Sequence, residues 1–276
     1  MLAIPPWGAC FDTLRSDASP DVRLSRCPST STAGTSPRHT HPCEEFIVII
    51  EGTLEHVIGG KLVTAGGSMA SVTYEKGITA LLVIDPYNDF ISEGGKIWDR
   101  IRGVAEANDC VPHMLQVLNA ARQAKLPVFY AMHHRYRPGD YETWKYIAPI
   151  QKASWARKSF EYGTWGGEFR AEFAPKLGEI VVQEHWCSSG FANTDLDLQL
   201  KKHGIHQLIV IGLIAHTCIE ATVRHAAELG YDVTVARDAT ADYSDETMHA
   251  ALDINMPNYA SAIVTTKAIV DAISSL

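Results

Sequence analysis

The chain alternates short, almost wholly apolar runs with longer stretches in which apolar residues recur every three or four positions. Thr79–Ile84, residues 127–131, 179–184, Gln207–Gly212, 231–236 and 261–265 have the length and the Val, Ile and Leu content of buried strands. Residues 108–124, 193–203, 217–229 and 245–255 read as amphipathic helices, and a further helix follows residue 265 to the end. In the first of these, Asn108 or Asp109 can cap the start, Pro112 suits the first turn, and Val111, Met114, Leu115 and Leu118 share a face. Such alternation predicts a mostly parallel sheet, covered by helices on both faces and joined by right-handed crossovers.

Two regions break the pattern. Residues 133–169 gather aromatics (Trp144, Trp155, Phe160, Trp165, Phe169) in an irregular segment, which reads either as a packed insert or, the favoured reading, as a lid over a pocket mouth. Before residue 76 the composition changes. Residues 12–42 are rich in Ser, Thr, Pro and Asp and read as loop or disorder. Short strands joined by glycine turns follow, over Glu45–Ile50, Leu54–Ile58 and Lys61–Thr64. The expected division is therefore 1–75 and 76–276.

Two predicted strands end on residues that carry chemistry. Thr79–Ile84 runs into Asp85, and six residues after Gly212 stands Cys218, at the predicted start of a helix. Ligands of open parallel sheets bind beyond the carboxyl ends of the strands, so both residues belong to one edge. A thiol in the first turn of a helix meets unpaired N–H groups and the positive end of the helix dipole, which favour thiolate. A neighbouring carboxylate can act as general base. Taken singly, Cys218 is as easily a small buried residue and Asp85 a turn cap. Taken together they favour a catalytic pair.

Asp85-Pro-Tyr-Asn-Asp-Phe90 and Gly212-Leu-Ile-Ala-His-Thr-Cys218 resemble the isochorismatase-like cysteine hydrolase superfamily, with its D-x-x-N-D-F-like strand end and later G-x-x-x-x-x-C turn. Phe191-Ala-Asn-Thr-Asp-Leu196 resembles the family's F-x-x-T-x-L segment, and Asp238-Ala239 its late D-A pair, so the likeness covers about residues 77–276. It implies a three-layer α/β/α fold on a six-stranded sheet and hydrolysis of a small amide or ureide C–N bond. It also implies Cys218 as nucleophile, Asp85 as base, an oxyanion hole from the N–H groups of Ile214 and Cys218, and a cis peptide at Leu213–Ile214. Tyr87, Asn88, Phe90, Trp144, Trp165, Phe191 and His216 are the expected substrate contacts. The expected partners are a small-molecule substrate and further copies of the chain, as a dimer or tetramer. Vinyl-ether hydrolysis of the isochorismatase type is a second reading, though it would not need the cysteine. A catalytically silent binding module is a third.

One family residue is missing. A lysine belongs at the end of the strand before Phe191, where this chain reads Glu184-His185. Counting from Gly178 puts Glu184 there, whereas counting back from Phe191 puts His185. A second carboxylate would be repelled by Asp85 unless one stays protonated, whereas a histidine can carry positive charge. The favoured reading has His185 carrying charge and Glu184 orienting it. The nicotinamidases of the superfamily carry a D-x-H metal pair near His133-His134, which lacks the aspartate, so no metal is expected there.

Near the N-terminus, His39-x-His41-x-x-x-Glu45 followed after six intervening residues by Gly52 resembles the first motif of cupins, a spacing able to ligate a transition metal. The second cupin motif is absent, since residues 65–70 lack its proline and histidine. The segment over 36–70 reads as a cupin-like fragment, with His39, His41 and Glu45 as weak metal candidates and no cofactor otherwise expected. The formal charge of −8 argues against nucleic acid and anionic membranes. Six cysteines without a C-x-x-C pair fit a reducing, cytoplasmic setting. No apolar run approaches a membrane span, and the first residues lack the pattern of a signal peptide.

Overall fold

The computed structural model describes residues 72–276 and, before them, the strands β1 (Phe46–Ile50), β2 (Thr53–Ile58) and β3 (Lys61–Ala65). The backbone divides into two units, Met1–Ala70 and Ser71–Leu276. In the first, β1, β2 and β3 pair as an antiparallel meander. His39, His41 and Glu45 lie outside the described residues, as does the segment 12–42.

The second unit is built on one parallel sheet. Its strands are β4 (Thr79–Ile84), β5 (Val128–Ala131), β6 (Ile180–Val181), β7 (Gln207–Gly212), β8 (Asp232–Ala236) and β9 (Ala262–Val264), in the order β6-β5-β4-β7-β8-β9. Every pairing in it is parallel. β4 lies between β5 and β7 and is buried along its whole length, which is why its sequence reads as an unbroken apolar run. The helices are α1 (Asn88–Ile91), α2 (Trp98–Ala107), α3 (Cys110–Ala124), α4 (Pro149–Arg157), α5 (Leu196–Lys202), α6 (Glu220–Glu228), α7 (Asp245–His249) and α8 (Thr266–Ser274). Among the described residues, no helix is long and apolar enough to cross a membrane.

The strand predicted over 179–184 is only two residues long as a ladder, because the chain then leaves the sheet edge while staying parallel to the end of β5. His185 donates its N–H to Met132 O (2.9 Å), and His134 donates to His185 O (2.8 Å). Glu184 fastens this extension from outside. Its carboxylate accepts from the Arg135 N–H (3.0 Å) and from Arg135 Nε (2.6 Å). It also faces His134 Nδ1 at 3.2 Å, while His134 Nε2 meets Asp140 at 2.8 Å and the ring stacks on Trp186. Glu184 therefore holds residues 133–135 against 184–186 and does not orient the His185 ring. The expectation that it does is corrected. A carboxylate flanked by two cations and an N–H is better satisfied there than beside another acid.

Burial alone would raise the Glu184 carboxyl, but the hydrogen bonds from His134 and Arg135 outweigh it and hold it down to about 2. Burial would lower His134, yet its bonds to Glu184 and Asp140 raise it above its ordinary value. The signs follow by linkage. The Glu184 contribution is complete above the ordinary carboxylate value and is lost as pH falls toward about 2. The His134 contribution is complete below the ordinary imidazole value and is lost as pH rises through the raised one. Glu184→Gln should thus cost about 1–2 kcal/mol, the size of a partly screened charged hydrogen bond. Thermal melts across pH should show the largest gap from wild type near pH 5–6, closing steeply toward acid and partly toward alkali. A gap independent of pH would contradict the clamp.

Candidate active site

The site lies where the carboxyl ends of β4, β5, β6 and β7 meet. Asp85 follows β4 at once and bends out of the strand with φ +56°, a left-handed conformation that aspartate tolerates better than most residues. Its N–H still donates to Ala131 O (3.1 Å), so the bend starts from a fixed point. Gly212 ends β7 with φ +128°, and a Cβ there would collide with the Ile84 carbonyl oxygen, so only glycine allows β7 to press this close to β4. The Leu213–Ile214 peptide is cis, where the family resemblance places one. Ala215 N–H then bonds Ala241 O (2.9 Å), tying the turn to the loop after β8.

These constraints bring Asp85, His185 and Cys218 together. A carboxylate oxygen, a ring nitrogen and Sγ from the three lie within 4.8 Å of one another, and all three residues are buried. His185 Nε2 stands 3.3 Å from Asp85 Oδ1, at ion-pair distance. The same Oδ1 accepts the backbone N–H of His133. Asp85 Oδ2 and both ring nitrogens of His185 have no hydrogen-bond partner among the described residues. Of the two residues competing for the missing lysine's place, His185 is therefore the one that faces Asp85 and Cys218. His133 packs its ring edge-on to His185 at 5.3 Å and gives Nδ1 to His134 O (2.9 Å). Burial and the neighbouring His185 push it down to about 4, so it remains neutral.

The expected thiolate is corrected. Cys218 sits in a single wide turn, Ala215–Ile219, that precedes α6, and its thiol is buried rather than presented at a helix end. Burial, and after it the charge of Asp85, raises the thiol well above its ordinary value. Beside Asp85, Cys218 thus rests as a thiol. In that wide turn the Ile214 N–H, one of the two expected oxyanion donors, bonds no acceptor among the described residues.

The expected substrate contacts mostly serve packing. Asn88 Nδ2 donates to Trp165 O (2.8 Å) and holds the 165–169 segment. Tyr87 gives its hydroxyl to His133 O (2.7 Å) and stacks on Phe160, which also meets Phe90. Phe191 packs against His225 and Tyr231 in the core. Trp144 lies on Tyr141 and Trp186. Trp165 is exposed and lines an open cleft of about 600 Å³ with Trp98, Phe169 and Arg170, away from Cys218. Much of the aromatic segment is therefore a packed insert, because its rings satisfy one another. Asp89, buried, anchors it by accepting from the Phe160 N–H (2.7 Å) and the Lys96 N–H (3.0 Å).

His216 shares the turn Ala215–Ile219 with Cys218, and it reveals residues the sequence did not announce. Its Nδ1 lies 2.6 Å from Asp242 Oδ1, which raises the imidazole, and its ring meets Tyr243 at 5.6 Å. The Arg100 guanidinium covers Tyr243 at 4.1 Å. Burial raises the Tyr243 hydroxyl, against the charges of Arg100 and Arg157, which lower it. Neither arginine pairs with a carboxylate among the described residues, and Arg157 Nε is buried without a partner. Nothing in the sequence singles out these arginines, which sit on α2 and α4, far from either motif.

Comparison with known proteins agrees with this fold. A ureidoacrylate amidohydrolase of Caulobacter segnis is 30% identical over 198 residues, 68% of this chain and 82% of that protein. A secreted isochorismatase effector of Verticillium dahliae is 30% identical over 164 residues, 59% of this chain and 73% of that protein. Among solved structures, a cysteine hydrolase of Pseudomonas syringae superposes with a TM-score of 0.63 at 22% identity, covering 74% of this chain and 96% of that one, which supports the fold. The N-carbamoylsarcosine amidase of Thermoplasma acidophilum superposes with a TM-score of 0.52 at 26% identity, over 68% and 96%. The model of the isochorismatase domain matches residues 79–268, and so does not reach the cupin-like motif. By fold, by the residues gathered at its strand ends and by this match, the chain belongs to the isochorismatase family of hydrolases.

Proposed function

We propose that the protein hydrolyses the C–N bond of a small amide or ureide through a covalent intermediate on Cys218. The observation that carries this reading is the buried convergence of Asp85, His185 and Cys218. Asp85 accepts the thiol proton as Sγ attacks the carbonyl carbon, so thiolate forms only as the reaction uses it. The N–H groups of Ile214 and Cys218 receive the oxyanion, where a single donor is worth about 3 kcal/mol. Asp85 then returns the proton to the departing amine. Water, deprotonated by the same carboxylate, releases the acyl group and restores the thiol. His185 takes the place of the family's lysine as the polar partner of Asp85. The relatives named for ureidoacrylate and N-carbamoylsarcosine support a ureide.

Arg100 and Arg157 extend the reading to the substrate's charge. The Arg100 guanidinium over Tyr243 and the Arg157 guanidinium whose charge reaches that hydroxyl, with no acidic partner among the described residues, favour a substrate that carries a carboxylate.

Turnover of a carboxylated ureide such as an N-carbamoyl amino acid is the direct test. Cys218→Ala and Asp85→Asn should each remove measurable turnover while leaving the melting curve cooperative. An active alanine variant would refute the covalent route. His185→Lys, restoring the family's residue type, should keep turnover within about tenfold of wild type, whereas His185→Ala should lose roughly 10²–10³-fold, as removal of an acid–base partner does. Equal loss in both would show that His185 is needed for its shape alone. Arg157→Ala should raise KM for the carboxylated substrate about 10–100-fold with kcat little altered, the scale of one charged hydrogen bond. Hydrolysis of a neutral amide should be indifferent to that change. An unchanged KM would remove Arg157 from substrate recognition.

A further inference from the structure

The exchange of lysine for histidine changes what the catalytic trio can hold. A lysine ammonium repels a cation and has no lone pair to offer, whereas an imidazole is a ligand. With His185 in place, a carboxylate, an imidazole and a thiol stand with one donor atom each inside 4.8 Å. Tetrahedral zinc, with bonds of about 2.0–2.3 Å, needs its ligand atoms roughly 3.3–3.8 Å apart. Small side-chain rotations close that gap. Buried polar atoms are nearly always paired, yet Asp85 Oδ2 and both nitrogens of His185 have no partner among the described residues. Asp85 Oδ2 and the one His185 ring nitrogen that the neutral imidazole leaves unprotonated each have a lone pair to give.

We propose that Asp85, His185 and Cys218 form a binding site for a borderline-soft divalent cation, Zn²⁺ foremost, and that the bound ion blocks the nucleophile. The ligand set selects the metal. Mg²⁺ and Ca²⁺ take oxygen ligands and leave thiolate and imidazole unused. Zn²⁺ takes all three donor types and keeps a fourth position for water. On binding, the Cys218 S–H bond breaks, an S–Zn bond forms, and the proton goes to solvent. The ion also supplies the positive charge that a buried thiolate next to Asp85 otherwise lacks. Binding depends only on the trio's geometry. Its consequence for turnover rests on the hydrolase reading.

Co²⁺ tests the site without any substrate. Titration of the full-length protein should produce a near-ultraviolet thiolate-to-cobalt charge-transfer band and strong visible absorption of four-coordinate cobalt, both displaced by Zn²⁺. Cys218→Ser should lose the charge-transfer band, and His185→Lys should lose both signals while melting as the wild type does. No charge-transfer band in wild type, a band that survives Cys218→Ser, or equal Co²⁺ affinity in His185→Lys would each overturn the proposal. If the serine variant fails to fold, alkylation of wild-type Cys218 by iodoacetamide, followed by mass spectrometry, replaces it. Zn²⁺ should slow that reaction at least tenfold, and an unchanged rate overturns the site. Micromolar Zn²⁺ should also inhibit turnover. Cobalt binding without any hydrolysis would count against the enzymatic reading alone and leave the metal site standing.

Discussion

The close pairing of β4 with β7 is the constraint on which the site depends. Residues Thr79–Ile84 run beside Gln207–Gly212 in register, so Ile84 stands opposite Gly212. Asp85 follows one strand directly, and Cys218 follows the other by a six-residue turn. The two strands can approach to this degree only because residue 212 has no Cβ. Burial on both faces then supplies the stabilisation, since every residue of β4 and nearly every residue of β7 is removed from water. The apolar wall that stabilises the sheet also surrounds the reacting groups.

Burial decides the chemistry of those groups. A cysteine in water with a helix dipole behind it would be a standing thiolate. Here, desolvation and the neighbouring carboxylate favour the proton-bound state, and in the proposed mechanism the nucleophile is produced by proton transfer at the moment of attack. This arrangement keeps a reactive sulfur quiet in the absence of substrate. His185 is held by continuation of the β5–β6 pairing beyond the ladder, with Glu184 outside and His133 neutral beside it. Glu184 and His185 are neighbours in sequence but point to opposite sides of one extended backbone. One serves the clamp and the other the trio, as alternation in a strand requires.

The aromatic insert illustrates how a composition signal is spent. Its rings satisfy each other through Tyr87, Phe160 and Phe169 on one side and Tyr141, Trp144 and Trp186 on the other. Its backbone is tied down by the buried side chains of Asn88 and Asp89. What reaches the site from this segment is His133, which gives its N–H to Asp85 Oδ1 and packs its ring against His185. Asn88 and Asp89 belong to the same motif as Asp85, so part of that motif acts by holding the insert in place.

The sequence by itself determined the sheet, the order of its elements and the positions of Asp85 and Cys218, because these rest on periodicity and on local turn chemistry. β4 and β7 coincide with their predicted ranges, and the parallel arrangement follows from strand–helix alternation. Tertiary structure alone decided between Glu184 and His185, since a one-residue ambiguity in a loop reverses which side chain faces inward. It also decided that Cys218 rests as a thiol, that Phe191 and Tyr87 belong to the core, and that Asp242, Tyr243 and Arg100 gather beside the turn that carries Cys218. Those facts depend on burial and on contacts between residues tens of positions apart, and no local pattern in the chain encodes either.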